Sequence, residues 1–263
     1  MRTHTLRRAF IGATAAALLA ATLPATATGA SPAGGKHPTS PKPTVVLVHG
    51  AWADSSSWNP VIQRLRKDGY PVRAIANPLQ GLTSDTAYLS SYLTAITGPK
   101  VLVGHSYGGA VITNAATSVP DVKSLVYIAA FIPAKGETLA GLTEGSGLPL
   151  VYTPVPGGVD VTIDPAEFRE VFAGDLDKTT AADLAITQRP ANSATVTDAS
   201  VVEGYRTIPS WALLTRRDHA IAPALQRMMI GRTGAHVTEV DASHAVMLSR
   251  PDVVTDVIER AAR

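Results

Sequence analysis

Short, largely apolar runs alternate along the chain with longer stretches in which apolar positions recur every three to four residues. Thr44–Val48, Val72–Ile75, 101–103, 124–131, Ser210–Thr215 and His236–Val240 read as strands. Helical spacing predicts helices over 58–67, 86–96, 110–117 and 251–262, with Ser84 and Asp85 as candidate caps of the second. Strands of continuous apolar character between amphipathic helices imply a parallel sheet buried on both faces. Residues 134–205 break this rhythm. They open Gly- and Pro-rich through Gly158 and then offer Asp164 as an N-cap, Pro165 at the first helical position and Glu167 for a capping box. A further helix is expected over 180–188, stopped by Pro190. The stretch reads as a small helical cap inserted after the fourth strand, lying over the site.

The pattern changes character at the amino terminus. Arg2, Arg7 and Arg8 precede an Ala-rich apolar run from Phe10 to Leu23, and small residues follow. The apolar run is shorter than a membrane span, so residues 1–30 read as a secretion signal cut after Ala27 or Ala30. Arg7-Arg8 followed by Ala9-Phe10-Ile11 is similar to a twin-arginine signal, although no Ser or Thr stands before the pair. Residues 31–43, "SPAGGKHPTSPKP", read as a flexible linker. One domain is then expected over 44–263.

Charge matters only once this leader is set aside. The 263-residue chain has a formal charge of +2, but residues 1–30 hold three arginines and no acid. The remainder has 20 Lys+Arg against 21 Asp+Glu, which predicts no nucleic-acid partner and, with the leader removed, no membrane span. The chain has no cysteine, so neither disulfides nor thiolate chemistry arise. No H-E-x-x-H or comparable ligand spacing appears, and neither a phosphate-binding loop nor a dinucleotide fingerprint, so no metal or cofactor is expected.

The candidate chemistry lies in "VLVGHSYGGAV". Gly104-His105-Ser106-Tyr107-Gly108 matches G-x-S-x-G between a strand and a helix, the setting of a nucleophile elbow. Such a turn lifts a serine hydroxyl above the sheet at a helix N-terminus, where developing negative charge is favoured. A hydroxyl needs a neighbouring base, and the elbow predicts an acid and then a histidine later in the chain. His244 in "VDASHAVM" follows the last strand and is the expected base. His219 and His236 are worse placed. Asp218 in "WALLTRRDHAI" is the expected acid, and Asp241, three residues before His244, is its rival. An oxyanion hole needs two backbone N–H groups. Tyr107 offers one and Ala51, in the loop after the first strand, the other. Gly50 lets substrate approach, His49 braces the loop, Trp52 lines the pocket and Trp58 belongs to the core. Tyr152, Phe168 and Phe172 suggest an apolar pocket, though helix packing explains the two Phe equally well.

With "VVLVHGAW", "LVGHSYGG", "LVYIAAFIP", "RRDHAIAPALQ" and "DASHAVML", the chain from about Thr44 onward resembles serine esterases of the α/β-hydrolase fold. It is most similar to the branch of plant methyl esterases and hydroxynitrile lyases, with its bacterial esterase relatives. That resemblance implies a mostly parallel sheet with helices on both faces. It places the nucleophile on Ser106, the acid on Asp218, the base on His244 and the oxyanion donors on Ala51 and Tyr107. The lyases of that branch have Lys after the catalytic His and Thr at the position of Gly50. Here Ala245 follows His244, so the resemblance favours hydrolysis of a small or medium carboxylic ester through an acyl-enzyme. A cofactor-free lyase and a ligand-binding relative without catalysis are the alternatives.

Overall fold

A computed structural model describes residues 41–263. The secretion signal and most of the linker expected from the sequence lie outside the described residues. Thr44–Val48 (β1) leads through a 3₁₀ turn at Ser55–Trp58 into Asn59–Lys67 (α1) and Val72–Ile75 (β2). Leu82–Thr94 (α2), Lys100–His105 (β3), Tyr107–Ala115 (α3) and Val122–Ile128 (β4) follow. The cap comprises Leu139–Leu142 (α4), Leu150–Val155 (β5), Gly158–Ile163 (β6), Phe168–Phe172 (α5), Lys178–Thr187 (α6), Ala191–Asn192 (β7) and Ala194–Thr197 (α7). A 3₁₀ turn at Gly204–Arg206 returns the chain to Ser210–Thr215 (β8), Pro223–Gly231 (α8), His236–Val240 (β9), Val246–Ser249 (α9) and Pro251–Ala261 (α10).

The six-stranded sheet has the order β2-β1-β3-β4-β8-β9, and every neighbouring pair is parallel. Alternate residues of each strand face opposite ways. Val45 and Leu47 of β1 and Val101 and Val103 of β3 pack with Trp58, with Leu65 of α1 and with Val257 of α10. Val46, Val48 and Leu102 face the other way, onto Leu89 of α2, Ile112 of α3 and Met229 of α8. Helices therefore cover both faces, as the continuous apolar runs demand. The chain starts at β1, moves outward to β2, then crosses back to β3. The strand order thus reverses between β1 and β3, and the loops after these strands diverge there to open a crevice.

Several element bounds differ from the sequence reading. α2 starts at Leu82 rather than 86, and its Thr83 N–H is capped at 3.1 Å by Asp198 from the distant cap. Ser84 and Asp85 therefore lie inside the helix. β4 stops at Ile128, because Ala129 turns with a φ of +45°. Asp164 does accept from Ala166 N at 2.9 Å, but this closes a turn, and the helix begins only at Phe168.

The larger correction concerns the cap, which is not purely helical. β5, β6 and β7 form an antiparallel three-stranded sheet alongside four short helices. Val155 pairs with Gly158, so Pro156-Gly157 is a two-residue hairpin turn, with Gly157 at a φ of +95°. A proline followed by a glycine in left-handed conformation is a turn signal, and the Gly- and Pro-rich stretch hides a hairpin rather than a loop. Cap residues Ile163, Phe168, Phe172, Ala181 and Ala185 pack with Ala220 and Ala245, next to the loops after β8 and β9. The cap is thereby anchored over the carboxyl ends of the strands.

Candidate active site

β3 runs fully buried to His105, and Ser106 then turns with φ +53° and ψ −123° before α3 begins at Tyr107. A non-glycine residue in this conformation costs on the order of 1–3 kcal/mol, so the surroundings must impose it. They do so through space. A Cβ on Gly104 would meet Gly108 O at 2.5 Å, one on Gly108 would meet Val48 O at 2.4 Å, and one on Gly109 would meet Phe131 O at 2.5 Å. The glycines let β3, α3 and the end of β1 close on one another around the serine. The Ser106 carbonyl accepts from Gly109 N at 2.9 Å and from Phe131 N at 3.1 Å, which pins the turn.

His244, after β9, is fully buried, and its Nδ1–H donates to Asp218 Oδ2 at 2.8 Å. Its Nε2 is buried and meets no acceptor or donor among the described residues. Asp218, after β8, is equally enclosed. Oδ2 also accepts from Thr215 Oγ1 at 2.8 Å and Gln226 Nε2 at 2.9 Å, while Oδ1 accepts from Ala220 N at 2.9 Å and Ile221 N at 2.8 Å. These donors leave neither oxygen of the buried side chain without a partner. The rival Asp241 points elsewhere, to an exposed pair with Arg217 at 3.2 Å. His219 pairs with Glu170 at 3.1 Å at the surface, and His236 lies against Trp211.

Ala51 and Tyr107 both line the main cavity with Ser106. Among the described residues, neither backbone N–H donates to a hydrogen bond. Gly50, by contrast, is buried against the elbow rather than lining the cavity. A Cβ there would meet Ser106 Cβ at 2.6 Å, so glycine serves the fit between the β1 loop and the elbow. His49 braces this loop as expected. Its Nδ1–H donates to Gly50 O at 2.9 Å, and its Nε2 accepts from Asn77 N at 3.0 Å. Burial holds its pKa down to about 4, partly opposed by the Gly50 carbonyl. Trp58 is fully buried in the core, edge-on to His105.

The main cavity encloses about 300 Å³, and its lining includes Trp52, Phe131, Leu148, Tyr152, Val161 and Ile221. Among the described residues, none in the lining is Asp, Glu, Lys, Arg or His, so a charged group would meet no partner among them, at high desolvation cost. Phe172 stands edge-on to the His244 ring at 4.8 Å and stacks with Phe168 at 5.0 Å, serving packing and site together.

Three polar residues were not legible as site residues. Gln226 shares the inner face of α8 with Met229 and Ile230, and a polar residue at an apolar position was its one available signal. His105 donates from Nε2 to the His244 carbonyl at 3.0 Å, and burial, then the nearby His244, hold it well below the usual histidine range. Asp85, fully buried in α2, accepts from Tyr107 Oη at 2.7 Å and from Gln80 N at 3.1 Å. Burial pushes its carboxyl above the usual range, against these hydrogen bonds.

A model of the alpha/beta hydrolase family matches residues 45–257. "Probable hydrolase R7" of a Phoma species is 27% identical over 242 residues, spanning 84% of this chain and 98% of that protein. The esterase PIR7B of Oryza sativa subsp. japonica is 25% identical over 255 residues, spanning 82% of this chain and 92% of the rice protein. The crystal structure of a pyrethroid hydrolase from Sphingobium faniae superposes with a TM-score of 0.71 at 24% identity, covering 84% of this chain and 97% of that one. At that identity the likeness is one of fold.

Proposed function

The chain belongs to the alpha/beta hydrolase family, and from that premise we propose that it is a serine esterase acting on small, uncharged carboxylic esters. The observation that carries this reading is an apolar cavity lined by the strained Ser106 elbow and by Ala51 and Tyr107 with their unengaged N–H groups, in a chain that also buries a His244–Asp218 pair in the loops after β9 and β8.

In this mechanism Ser106 Oγ attacks the ester carbonyl while His244 Nε2 takes its proton. Asp218 holds the Nδ1–H tautomer and stabilises the imidazolium that forms. The oxyanion develops against the N–H groups of Ala51 and Tyr107 at the start of α3. His244 returns the proton to the leaving alcohol, and water then repeats the sequence on the acyl-enzyme. The uncharged lining selects esters without a free carboxylate or amine near the reacting bond. Hydrolysis is favoured over cyanohydrin cleavage because Ala245, next to His244, is fully buried and apolar. Among the described residues, no cationic group in the cavity lining would hold cyanide.

Native protein should turn over p-nitrophenyl acetate with a burst equal to the enzyme concentration. Ser106→Ala should lose both burst and turnover while keeping its circular dichroism. Unchanged turnover in that variant would sink the mechanism. The reading also includes export. Protein collected from the medium of the producing cells should begin after Ala27 or Ala30 by N-terminal sequencing, and an intact Met1 there would refute processing.

A further inference from the structure

Behind the main cavity lies a second one of about 120 Å³. Ala53, Phe168, Phe172, Leu184, Met247 and Leu248 give it an apolar wall, and Ser57, Thr187 and the exposed Asp54 and Ser56 are its polar lining. Among the described residues, Trp52 alone lines both spaces. It is also held with unusual care. Its backbone takes a φ of +61°, a conformation a bulky side chain adopts only when constrained. Its indole Nε1–H donates to Val161 O in the cap sheet at 2.9 Å, and its ring meets Phe172 edge-on at 6.5 Å. The indole is thus fixed from both sides, directly after Ala51 in the loop facing Ser106.

We propose that Trp52 is the specificity-determining partition of this enzyme: its indole closes the main cavity against the second one and thereby limits the length of the unbranched apolar chain an ester substrate can place there. The second cavity is then a latent subsite for the far end of a longer alkyl chain. Nothing in its apolar wall would reject methylene groups, whereas a charged chain end would have to reach Asp54. The proposal rests on the esterase reading above. A main cavity of about 300 Å³ sits at the lower edge of the usual range for ligand pockets, so opening the partition changes the available length by a large fraction.

The test compares kcat/KM on p-nitrophenyl acetate and p-nitrophenyl octanoate. Native protein should prefer acetate. Trp52→Ala joins the two spaces and should raise the octanoate-to-acetate ratio about tenfold or more, given that a single methylene in an apolar pocket is worth roughly that factor. Trp52→Phe loses the bond to Val161 but keeps a ring, and should leave the ratio within about threefold of native. If Phe opens the pocket as fully as Ala, the tether rather than the ring sets the length and the proposal is wrong. Adding Leu184→Trp to Trp52→Ala refills the second cavity and should reverse the gain.

Failure of the underlying reading has a different signature, in which native protein hydrolyses neither ester. An unchanged ratio in Trp52→Ala, with native turnover intact, overturns the partition alone. Should Trp52→Ala turn over neither ester, short and long alkylphosphonate p-nitrophenyl esters give the same ratio as rates of Ser106 labelling by mass spectrometry. Equal short-to-long preference in native and variant protein would overturn the proposal there as well. If Trp52→Ala does not fold, Trp52→Leu takes its place, with the same ratio required.

Discussion

Asp218 and Asp241 flank the same loop region yet differ in everything that matters to an imidazole. Asp218 is buried, its Oδ2 lies 2.8 Å from His244 Nδ1, and four further donors fix both oxygens. Asp241 is largely exposed in a pair with Arg217, a type of contact worth about 0–1 kcal/mol. Asp218→Asn keeps the shape but removes the charge that faces the imidazolium and offers an amide N–H where an acceptor is needed. The expected result is a fall in kcat on p-nitrophenyl acetate of about 10³–10⁴-fold. Asp241→Asn should change it less than about threefold, because only a screened surface pair is lost. A larger loss at Asp241 would reverse the assignment. Such contrasts between like residues are invisible in spacing alone. Distance along the chain favoured Asp218, and only burial and the donor set explain why.

At the scale of elements, the parts legible in the sequence were those whose local pattern is also their tertiary role. The apolar runs over 45–48 of β1 and 101–103 of β3 arise because helices cover both their faces, and G-x-S-x-G marks a turn because any Cβ at Gly104 or Gly108 would strike backbone within about 2.5 Å. Ser106, Asp218 and His244 could be proposed from order alone, since each follows the carboxyl end of a parallel strand, where open sheets of this kind build their sites. What escaped depends on contacts across long sequence separations. The α2 N-terminus is capped by Asp198, 115 residues away from Thr83. Nothing in the sequence marked this partner, and Asp85, from inside the helix, accepts from Gln80 N with one oxygen and from Tyr107 Oη with the other. The cap hairpin escaped for the opposite reason. Its strands are partly exposed, Val151 and Tyr152 among them, so the apolar pattern was weak and Pro156-Gly157 was the sole clear mark of the turn. Gly50 was read from the sequence as room for substrate, and its contact with the elbow serine becomes evident only once β1 and β3 lie side by side.

For the molecule as a whole, the crevice between β1 and β3 is flanked by two fully buried histidines, His49 and His105. Burial holds His49 down to about 4 and His105 well below the ordinary value of 6.5. In the unfolded chain both take up a proton near pH 6.5. Below that pH the unfolded state therefore binds more protons than the folded one, and stability must fall as pH falls. For His49 the loss starts near 6.5 and is complete near 4. At pH 5 it amounts to roughly 2 kcal/mol. For a domain of this size that is about 4–8 °C in Tm between pH 7 and pH 5. Asp85 works in the other direction. Its raised carboxyl pKa lets the folded state take a proton first, which favours folding as acidity increases through the carboxylate range. The interval from pH 6.5 to 5 therefore isolates the histidines best. His49→Gln retains a side-chain acceptor for Asn77 N but cannot be protonated there. Its Tm should start lower at pH 7, because the fit to the loop is poorer, yet decline less steeply to pH 5 than the native protein does. Parallel declines in calorimetric scans of the two proteins would show that His49 is not a source of the acid sensitivity.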